Sequence, residues 1–483
     1  MDTAIYNLDN FRDALQNPLT TVFFYAILRL EAYYVSKNIE VKNMKIHVGD
    51  PRIIHQGPAY EDTSWGVMQF PFVFKAKDGK IYVKMLALAE DWATIGTRTS
   101  HIWFCSEDEG ETWAQVDEPV GATGTELSNG ESIYFPSRDA IILDPKEIKY
   151  WPGFTGQLPS DKPVKEPDGS MPYPTYRYYD QGLQLNLIYD FDYLPDAYGK
   201  KEWLMERTDK NGITTTEYVP IDTPTMSGVG VIQHSGKFVM LRPQPFAKGP
   251  KVGPDGSVWV TNYTFGHLNP YNKAPNPRSA VVIYKSTDNA KTFKLHSYIQ
   301  NDFDTNKRHN AWIGNGVNEA DIEFMDDGSM IIIMRTVDVF GGGPEWSDLL
   351  IARSTDGGVT WSEPEVFDTG ILPSVIKMGC GVTLAAYGRP GIFVRGTTDS
   401  SGMKWEAPVE VMTPDDRSGL MNDPPDRPDF HQWCGSCCNV DLKPLNDNRA
   451  ILIYSDFYVP DASGKTDKKL KSMMCRIITV END

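Results

Sequence analysis

The stretch that decides the fold is GVNEADIEFMDDGSMIIIMRT (residues 316–336) followed by LLIARSTDGGVTW (residues 349–361). Asp327-Gly328 separates two apolar segments, which is a strong hairpin signal. The second segment, residues 330–334, is continuously apolar, so we expect a strand buried on both faces. A third strand then leads into an octad, Ser-x-Asp-x-Gly-x-Thr-Trp (residues 354–361). In it the Asp can accept backbone N–H bonds, the Gly supplies an unusual φ, and the Trp anchors the turn.

Related units recur along the chain. Residues 65–113 contain an Asp-Gly hairpin and a complete octad, residues 228–293 end in an octad with Ala and Phe in place of Gly and Trp, and residues 375–405 carry an octad stretched by one residue. A less regular region, residues 126–222, precedes the third unit, and residues 436–480 form the sixth. The repetition predicts an all-β fold, a six-bladed β-propeller of four-stranded blades, in preference to a pair of β-sandwiches.

The irregular region and the chain ends carry further predictions. Strands are expected at residues 133–135, 140–143, 183–189 and 203–206, and a long ordered loop at residues 145–179, which are rich in Pro, Asp and Tyr. A strand near residues 45–47 or 52–55 is expected to complete the last sheet, so that the two ends of the propeller meet in one blade.

The composition narrows the choice of partners. A net charge of −18 and a pI of about 4.9 argue against a nucleic-acid polyanion. Aromatic residues make up 12% of the chain, which suits both β-rich packing and stacking on sugar rings. We therefore expect a carbohydrate partner, no nucleic acid and no membrane, and the sequence leaves the oligomeric state open.

The N-terminus and the cysteines carry predictions about domain organisation, location and metal binding. Residues 1–41 predict an N-terminal helical extension, followed by the propeller domain at residues 42–483. The apolar segment 19–28 is too short to cross a bilayer as a helix, and it lacks the basic start of a signal peptide, so we expect a cytoplasmic location. Cys434, Cys437 and Cys438 have no second ligand pair after them, so we expect free thiols, no metal and no cofactor.

The octads match Asp-boxes, and over roughly residues 45–480 the chain resembles the sialidase (neuraminidase) superfamily of six-bladed propellers. That family clamps a substrate carboxylate with three Arg, and it uses a Tyr nucleophile activated by a Glu and an Asp acid/base. The resemblance implies that Glu319 and Arg335 pair at the axial end of one blade. It also implies that Asp91 takes the place of the family's acid and that Arg389 is a further Arg of the clamp.

Two positions depart from the family pattern. Gln69 stands where the family has its first Arg, and residues 436–439 (Ser-Cys-Cys-Asn) stand where the nucleophilic Tyr is expected. A Gln lacks the charge and the bidentate fork that hold a carboxylate, and a Cys is a poor substitute for a phenol. An ordinary sialidase mechanism is therefore not expected.

The remaining chemistry favours a glycan-active enzyme. We expect an exo-acting glycoside hydrolase on an acidic or deoxy sugar, with Asp91 and Glu319 as a carboxylate acid/base pair that needs no Tyr. Besides Gln69, the expected substrate-binding residues are Arg335, Arg389, Arg138 and His431. A polysaccharide lyase acting on a uronate and a propeller that only binds glycan remain as alternatives.

Overall fold

The computed structural model describes the chain in segments, and every regular element in them is a β-strand. The described residues are 44–57, 69–87, 101–137, 141–143, 154–158, 185–189, 200–222, 229–234, 237–240, 245, 248–264, 267–268, 275–276, 280–300, 316–336, 348–388, 391–412, 439–456, 459, 463–464 and 472–482. The all-β class predicted from the sequence is therefore confirmed for these residues, in which the strands are numbered β1 to β32 along the chain.

Three sheets have the same plan, four consecutive antiparallel strands in chain order. The first sheet holds β3 (Gln69–Lys75), β4 (Ile81–Leu86), β5 (His101–Ser106) and β6 (Ala114–Val116). The second holds β22 (Val317–Phe324), β23 (Met330–Thr336), β24 (Asp348–Ser354) and β25 (Glu365–Thr369). The third holds β26 (Ile371–Lys377), β27 (Thr383–Gly388), β28 (Ile392–Thr397) and β29 (Val409–Met412).

A fourth sheet joins the two ends of the chain. It holds β30 (Val440–Pro444), β31 (Arg449–Asp456) and β32 (Ser472–Asn482), and both β1 (Met44–Val48) and β2 (Arg52–Gln56) pair with β32. Arg52, for example, lies opposite Cys475. The prediction that an N-terminal strand completes the last sheet is confirmed.

The middle of the chain forms larger sheets. An eight-stranded sheet runs β16 (Lys251–Val252), β17 (Val258–Thr264), β20 (Ala280–Ser286), β21 (Phe293–Gln300), β13 (Thr214–Asp222), β12 (Glu202–Thr208), β8 (Ser132–Tyr134) and β7 (Thr125–Glu126). A five-stranded sheet runs β10 (Phe154–Leu158), β11 (Leu185–Tyr189), β14 (Val229–His234), β15 (Lys237–Met240) and β9 (Ile141–Leu143). A two-stranded sheet pairs β18 (His267–Leu268) with β19 (Pro275–Asn276).

This region both confirms and corrects the sequence-based predictions. The strands expected around residues 133, 141, 185 and 203 are present as β8, β9, β11 and β12. The single unit expected at residues 228–293 is wrong, because β14 and β15 pair in the five-stranded sheet while β17, β20 and β21 lie in the eight-stranded one. The reason is pairing between distant segments, since β14 pairs with β11 and β21 takes β13 as a parallel neighbour. The loop expected at residues 145–179 contains strand β10.

The core lies between neighbouring sheets. On β23, Ile332 and Met334 pack with Trp259 of the eight-stranded sheet, while Ile331 and Ile333 pack on the other side against residues of the third sheet. Alternate side chains of one strand thus enter opposite cores, as expected for a strand with period 2. The prediction that residues 330–334 are buried on both faces is confirmed.

The octads form closely similar turns. In the first, Asp108 accepts bonds from the backbone N–H of Thr112 at 2.8 Å and from its hydroxyl at 2.6 Å, while Ser106 Oγ accepts the N–H of Gly110 at 2.8 Å. The bonds from Thr112 lower the pKa of Asp108 to about 2. The octad at residues 286–293 keeps these bonds although Ala290 adopts a φ of 59°, so the Asp and Ser contacts define the turn even without Gly.

The chain divides into a compact unit of residues 45–481 and a second unit of residues 1–44 and 482–483. The predicted helical extension at residues 1–41 lies outside the described residues. In the described segments, the structure contains no helix with the length and apolar character needed to cross a membrane.

Candidate functional site

Five strands contact one another in succession, in the order β17, β22, β26, β30 and β3. We call them the first strands, because each begins a run of antiparallel strands, which for β17 is the run β17, β20 and β21 within the eight-stranded sheet. A side chain bridges every junction along this arc. Thr261 Oγ1 donates to the carbonyl of Ala320, Asp321 accepts the N–H of Val375, Ser374 accepts the N–H of Leu442, and Asp441 accepts the N–H of Val73. The arc therefore sets the spacing of the residues at the beginning of these strands.

Three of the first strands begin with the same irregularity. The register with the second strand shifts between Gln69 and Phe72, between Asn318 and Asp321, and between Ile371 and Ser374. One residue in each shift has a positive φ, namely Phe70 (50°), Glu319 (33°) and Leu372 (44°). A bulge of this kind re-aims a side chain at the cost of backbone strain. Because Glu319 shares the conformation with Phe70 and Leu372, the strain belongs to these strand beginnings in general and is no sign of catalysis by itself.

The bulge carries the carboxylate of Glu319 toward two donors. Arg335, from β23, donates Nη1–H to Glu319 Oε2 at 2.9 Å, and the backbone N–H of Leu372 in the next sheet donates to the same oxygen at 3.1 Å. Both side chains are largely buried, with 9% of Glu319 and 12% of Arg335 exposed. Oε1 of Glu319 accepts no hydrogen bond from any residue that the structure describes. The pair expected from the sequence is present, while its role stays a prediction.

Gln69 lies at the position on β3 that corresponds to Asn318 on β22, because Gln69 pairs with Leu86 just as Asn318 pairs with Arg335. Both side chains are buried, as is that of Asn439 directly before β30. Oε1 and Nε2 of Gln69 and Oδ1 of Asn318 and of Asn439 have no hydrogen-bond partner in the described structure. A buried polar group in that state costs about 1–3 kcal/mol, so such groups are rare in native proteins.

The other predicted site residues cannot be placed, since Asp91, Arg138, Arg389 and His431 lie outside the described residues. For Arg389 the register gives one indication. The residue before it, Gly388, pairs with Ile371, and this is the counterpart of the pairing between Asn318 and Arg335. Cys437 and Cys438, which precede Asn439, also lie outside the described part.

A buried ionic cluster, not predicted from the sequence, lies deeper between the first strands. Lys251 Nζ is 3.2 Å from Asp321 Oδ1 and 3.1 Å from Glu323 Oε2, and it also donates to the carbonyl of Val375. Lys248 Nζ donates to the carbonyl of Val440 and lies 3.4 Å from Asp441 Oδ1. We call Lys248, Lys251, Asp321, Glu323 and Asp441 the lysine cluster. Its two lysines come from the segment before β17 and reach the first strands of three other sheets.

The electrostatics of the lysine cluster favour a charged Lys251. Burial alone would lower the pKa of Lys251, but Asp321 and Glu323 together outweigh the burial and raise it. Burial lowers the pKa of Lys443, which lies nearby on β30 and has less compensation from the acidic residues. Lys251 is therefore the stable cation at the centre, and its removal would leave two buried carboxylates uncompensated.

A sequence signal for the lysine cluster does exist. Glu319, Asp321 and Glu323 alternate along one strand, a spacing that places side chains on one face. Three acids on one face of an otherwise apolar strand require nearby cations. The two lysines, however, lie in a Gly- and Pro-rich segment about seventy residues upstream, and nothing local indicates where that segment runs. The described residues contain no group of three or more His, Cys, Asp and Glu that could hold a metal ion.

No protein-family model matches the chain, and no curated protein matches it. Solved structures do. A protein of unknown function from Dyadobacter fermentans is 16% identical with a TM-score of 0.49, over 89% of this chain and 99% of that one. The Hadza microbial sialidase Hz136 is 12% identical with a TM-score of 0.44, over 86% of this chain and 66% of that one. An α-L-arabinanase from Penicillium chrysogenum, in complex with arabinobiose, is 10% identical with a TM-score of 0.43, over 90% of this chain and 98% of that one.

Proposed function

We propose that the protein is an exo-acting glycoside hydrolase that removes an acidic or deoxy sugar and uses Glu319 as one of two catalytic carboxylates. The observation that supports this most directly is the anchoring of Glu319. Arg335 and the N–H of Leu372 both hold Oε2, and Oε1 accepts no bond from the described residues. A carboxylate held in this way is oriented through one oxygen and can exchange a proton through the other.

Asp91 is the proposed second carboxylate. In an inverting hydrolysis one carboxylic acid protonates the leaving glycosidic oxygen while the other carboxylate takes a proton from the attacking water. The C–O bond to the leaving group breaks as the new C–O bond to water forms, so no Tyr nucleophile is required. Gln69, Arg138, Arg335, Arg389 and His431 are the proposed substrate-binding residues.

The proposed architecture is a six-bladed propeller with Asp-boxes. Five first strands already follow one another in an arc. The octad turns keep the same Asp and Ser contacts at residues 106–113, 286–293 and 354–361. We propose that the sixth place in the ring is taken by a sheet from residues 126–240, a region in which β14 and β15 form a further hairpin.

The lysine cluster supports exo action. Asp321 follows Glu319 by two residues on β22, at the point where regular pairing with β23 resumes after the bulge. Lys251 occupies the space beside Asp321 and contacts two of the first strands there. A ligand that reaches Glu319 would then enter from the side where the first strands begin, with its chain end pointing toward the lysine cluster.

The test uses aryl glycosides of sialic acid, uronic acids and rhamnose with the full chain and with Glu319→Gln. Loss of general acid–base catalysis lowers rates by about 10²- to 10⁴-fold, so we expect a loss of that size in kcat. Asp326→Asn is the matched control, since it also turns a carboxylate into an amide. Asp326 lies in the turn of the β22–β23 hairpin, which carries Glu319, and it forms an exposed ion pair with Lys377. Both variants should melt within a few degrees of the parent.

The alternatives give different results. A polysaccharide lyase would produce the ultraviolet absorbance of an unsaturated uronate, which hydrolysis does not. A propeller that only binds glycan would turn over none of the glycosides. If Glu319→Gln retains the activity of the parent, Glu319 has no catalytic role and the proposal is wrong.

A further inference from the structure

The beginnings of the first strands carry a set of buried side-chain amides. Gln69, Asn318 and Asn439 are exposed by 0%, 1% and 2%, and they come from three different sheets. Gln69 and Asn318 occupy equivalent register positions, and each is followed by a residue with positive φ. Both polar atoms of the Gln69 amide, and the amide oxygens of the other two, have no hydrogen-bond partner among the residues described. We call these three residues the amide set.

Further along the first strands, the buried polar side chains do have hydrogen-bond partners. Asp321, Ser374 and Asp441 are also buried on first strands, and each has a bond to a neighbouring strand or to a lysine. In the described part of the chain, the buried side-chain atoms without a hydrogen-bond partner include those of Gln69, Asn318 and Asn439 at the level of Glu319. The others belong to Arg335, beside Glu319, and to Arg52, Ser472 and Asn482 on β2 and β32. Buried polar groups without partners are rare in native proteins, and a bound ligand is one reason for their presence.

Among the residues that the structure describes, the charge at this level is close to balanced. Arg335 is paired with Glu319 at 2.9 Å, so its charge is already met by a carboxylate. Gln69 is neutral at the place where the resemblance implied an Arg. A side-chain amide offers both donors and an acceptor, as does a sugar hydroxyl. A carboxylate only accepts, and it is held best by cations with a bidentate fork.

We infer that the amide set binds an uncharged sugar residue through its hydroxyl groups. The inference rests on the proposed function in that it concerns the same site, and it selects the neutral class over the acidic one. Gln69 is the main specificity residue, because both ends of its amide lack a partner in the described part of the chain. Asn318 and Asn439 contribute acceptors for two further hydroxyls from neighbouring sheets.

Binding, not turnover, tests this inference. Calorimetric titration of the full chain with L-rhamnose, D-galactose, D-xylose and L-arabinose is compared with titration by N-acetylneuraminic acid and D-glucuronic acid. At least one neutral sugar should bind more tightly than either acid. Gln69→Met keeps the size of the side chain and removes the amide. It should lower the affinity for the neutral sugar at least tenfold.

Melting temperature separates a ligand-binding amide from a structural one. Gln69→Met replaces an unsatisfied buried amide with an apolar group, so the melting temperature should stay the same or rise. Gln56→Met is the matched control. The amide of Gln56 donates to the carbonyl of Val459 at 3.2 Å, so its loss should lower the melting temperature.

Four results would overturn the inference. The first three are tighter binding of an acid, unchanged sugar affinity in Gln69→Met, and a lower melting temperature in that variant. The fourth is binding of none of the neutral sugars, which is expected if water alone satisfies the amides. Hydrolysis of an acidic glycoside that depends on Glu319 would leave the proposed hydrolase intact and overturn the neutral class. Binding of a neutral sugar without any hydrolysis would support the neutral class and overturn the proposed hydrolase.

Discussion

Replacing Lys251 with Met tests whether the lysine cluster holds the first strands together. Met retains much of the apolar stem of Lys but removes the ammonium group. Asp321 and Glu323 would then be left without their shared cation, and their side chains are only 3% and 12% exposed. Removing one partner of a buried ion pair costs about 3–5 kcal/mol, because the remaining charge stays buried and uncompensated. We expect Lys251→Met to lower the free energy of unfolding by that amount.

Lys377→Met provides the matched control. Lys377 also forms an ion pair with an Asp, at 2.5 Å from Asp326 Oδ1, but the two side chains are 32% and 57% exposed. Exposed ion pairs contribute about 0–1 kcal/mol to the free energy of unfolding. The same chemical change should therefore have several times less effect at Lys377 than at Lys251, with burial as the decisive difference.

Urea unfolding followed by Trp fluorescence measures both variants, together with the double variant Lys251→Met/Asp321→Asn. The double variant removes one of the buried charges, and an Asn oxygen can still accept the N–H of Val375, so it should recover at least about 1 kcal/mol relative to Lys251→Met. Equal effects of Lys251→Met and Lys377→Met, or no recovery in the double variant, would refute the assignment of Lys251 as the central cation.

The octad turns yield two further predictions. A Cβ at Gly358 (φ 80°) would lie 3.0 Å from the Trp259 ring, whereas at Gly357 (φ 72°) it would meet nothing within 4 Å. In thermal melts, Gly357→Ala should therefore cost about 1–2 kcal/mol of backbone strain and Gly358→Ala about 1–3 kcal/mol more, and equal costs would contradict this packing. The pKa values of Asp108 and Asp356 fall from 3.8 to about 2, so their contribution to stability is complete above pH 3.8 and is lost as the pH falls toward 2. Changing both to Asn should lower the urea midpoint at pH 5 and narrow the gap to the parent by pH 2; a gap independent of pH would contradict the assignment.

The sequence predicted those parts of the fold in which local signals and partners lie close together. The hairpin around Asp327-Gly328, the doubly buried strand β23 and the octad turns each depend on residues within about ten positions of one another. Closure of the last sheet was also predictable, because unpaired strands at the two chain ends have few alternatives. The error at residues 228–293 arose where pairing joins distant segments, since β21 pairs in parallel with β13.

The same distinction applies to the candidate site. The pairing of Glu319 with Arg335 follows from one hairpin register, so it could be predicted from β22 and β23 alone. The second bond to Glu319 comes from Leu372 in the next sheet, and its geometry depends on a positive φ that no residue type there suggests. Lys248 and Lys251 lie far from their acidic partners in sequence, and only the arrangement of the sheets brings them together.

The lysine cluster and the candidate site both depend on the contact between β22 and β26. Asp321 binds Lys251 and, through Oδ2, the N–H of Val375 at 2.7 Å, which fixes β26 against β22. Three residues earlier on β26, the N–H of Leu372 bonds to Glu319. A change in the lysine cluster that lets β26 shift therefore alters the donor that orients the Glu319 carboxylate, although no atom of Lys251 contacts it in the described structure. The cost of burying two lysines and three acids is then offset by the stability of the arc, and the same arc keeps Oε2 of Glu319 bonded while Oε1 accepts no bond from the described residues.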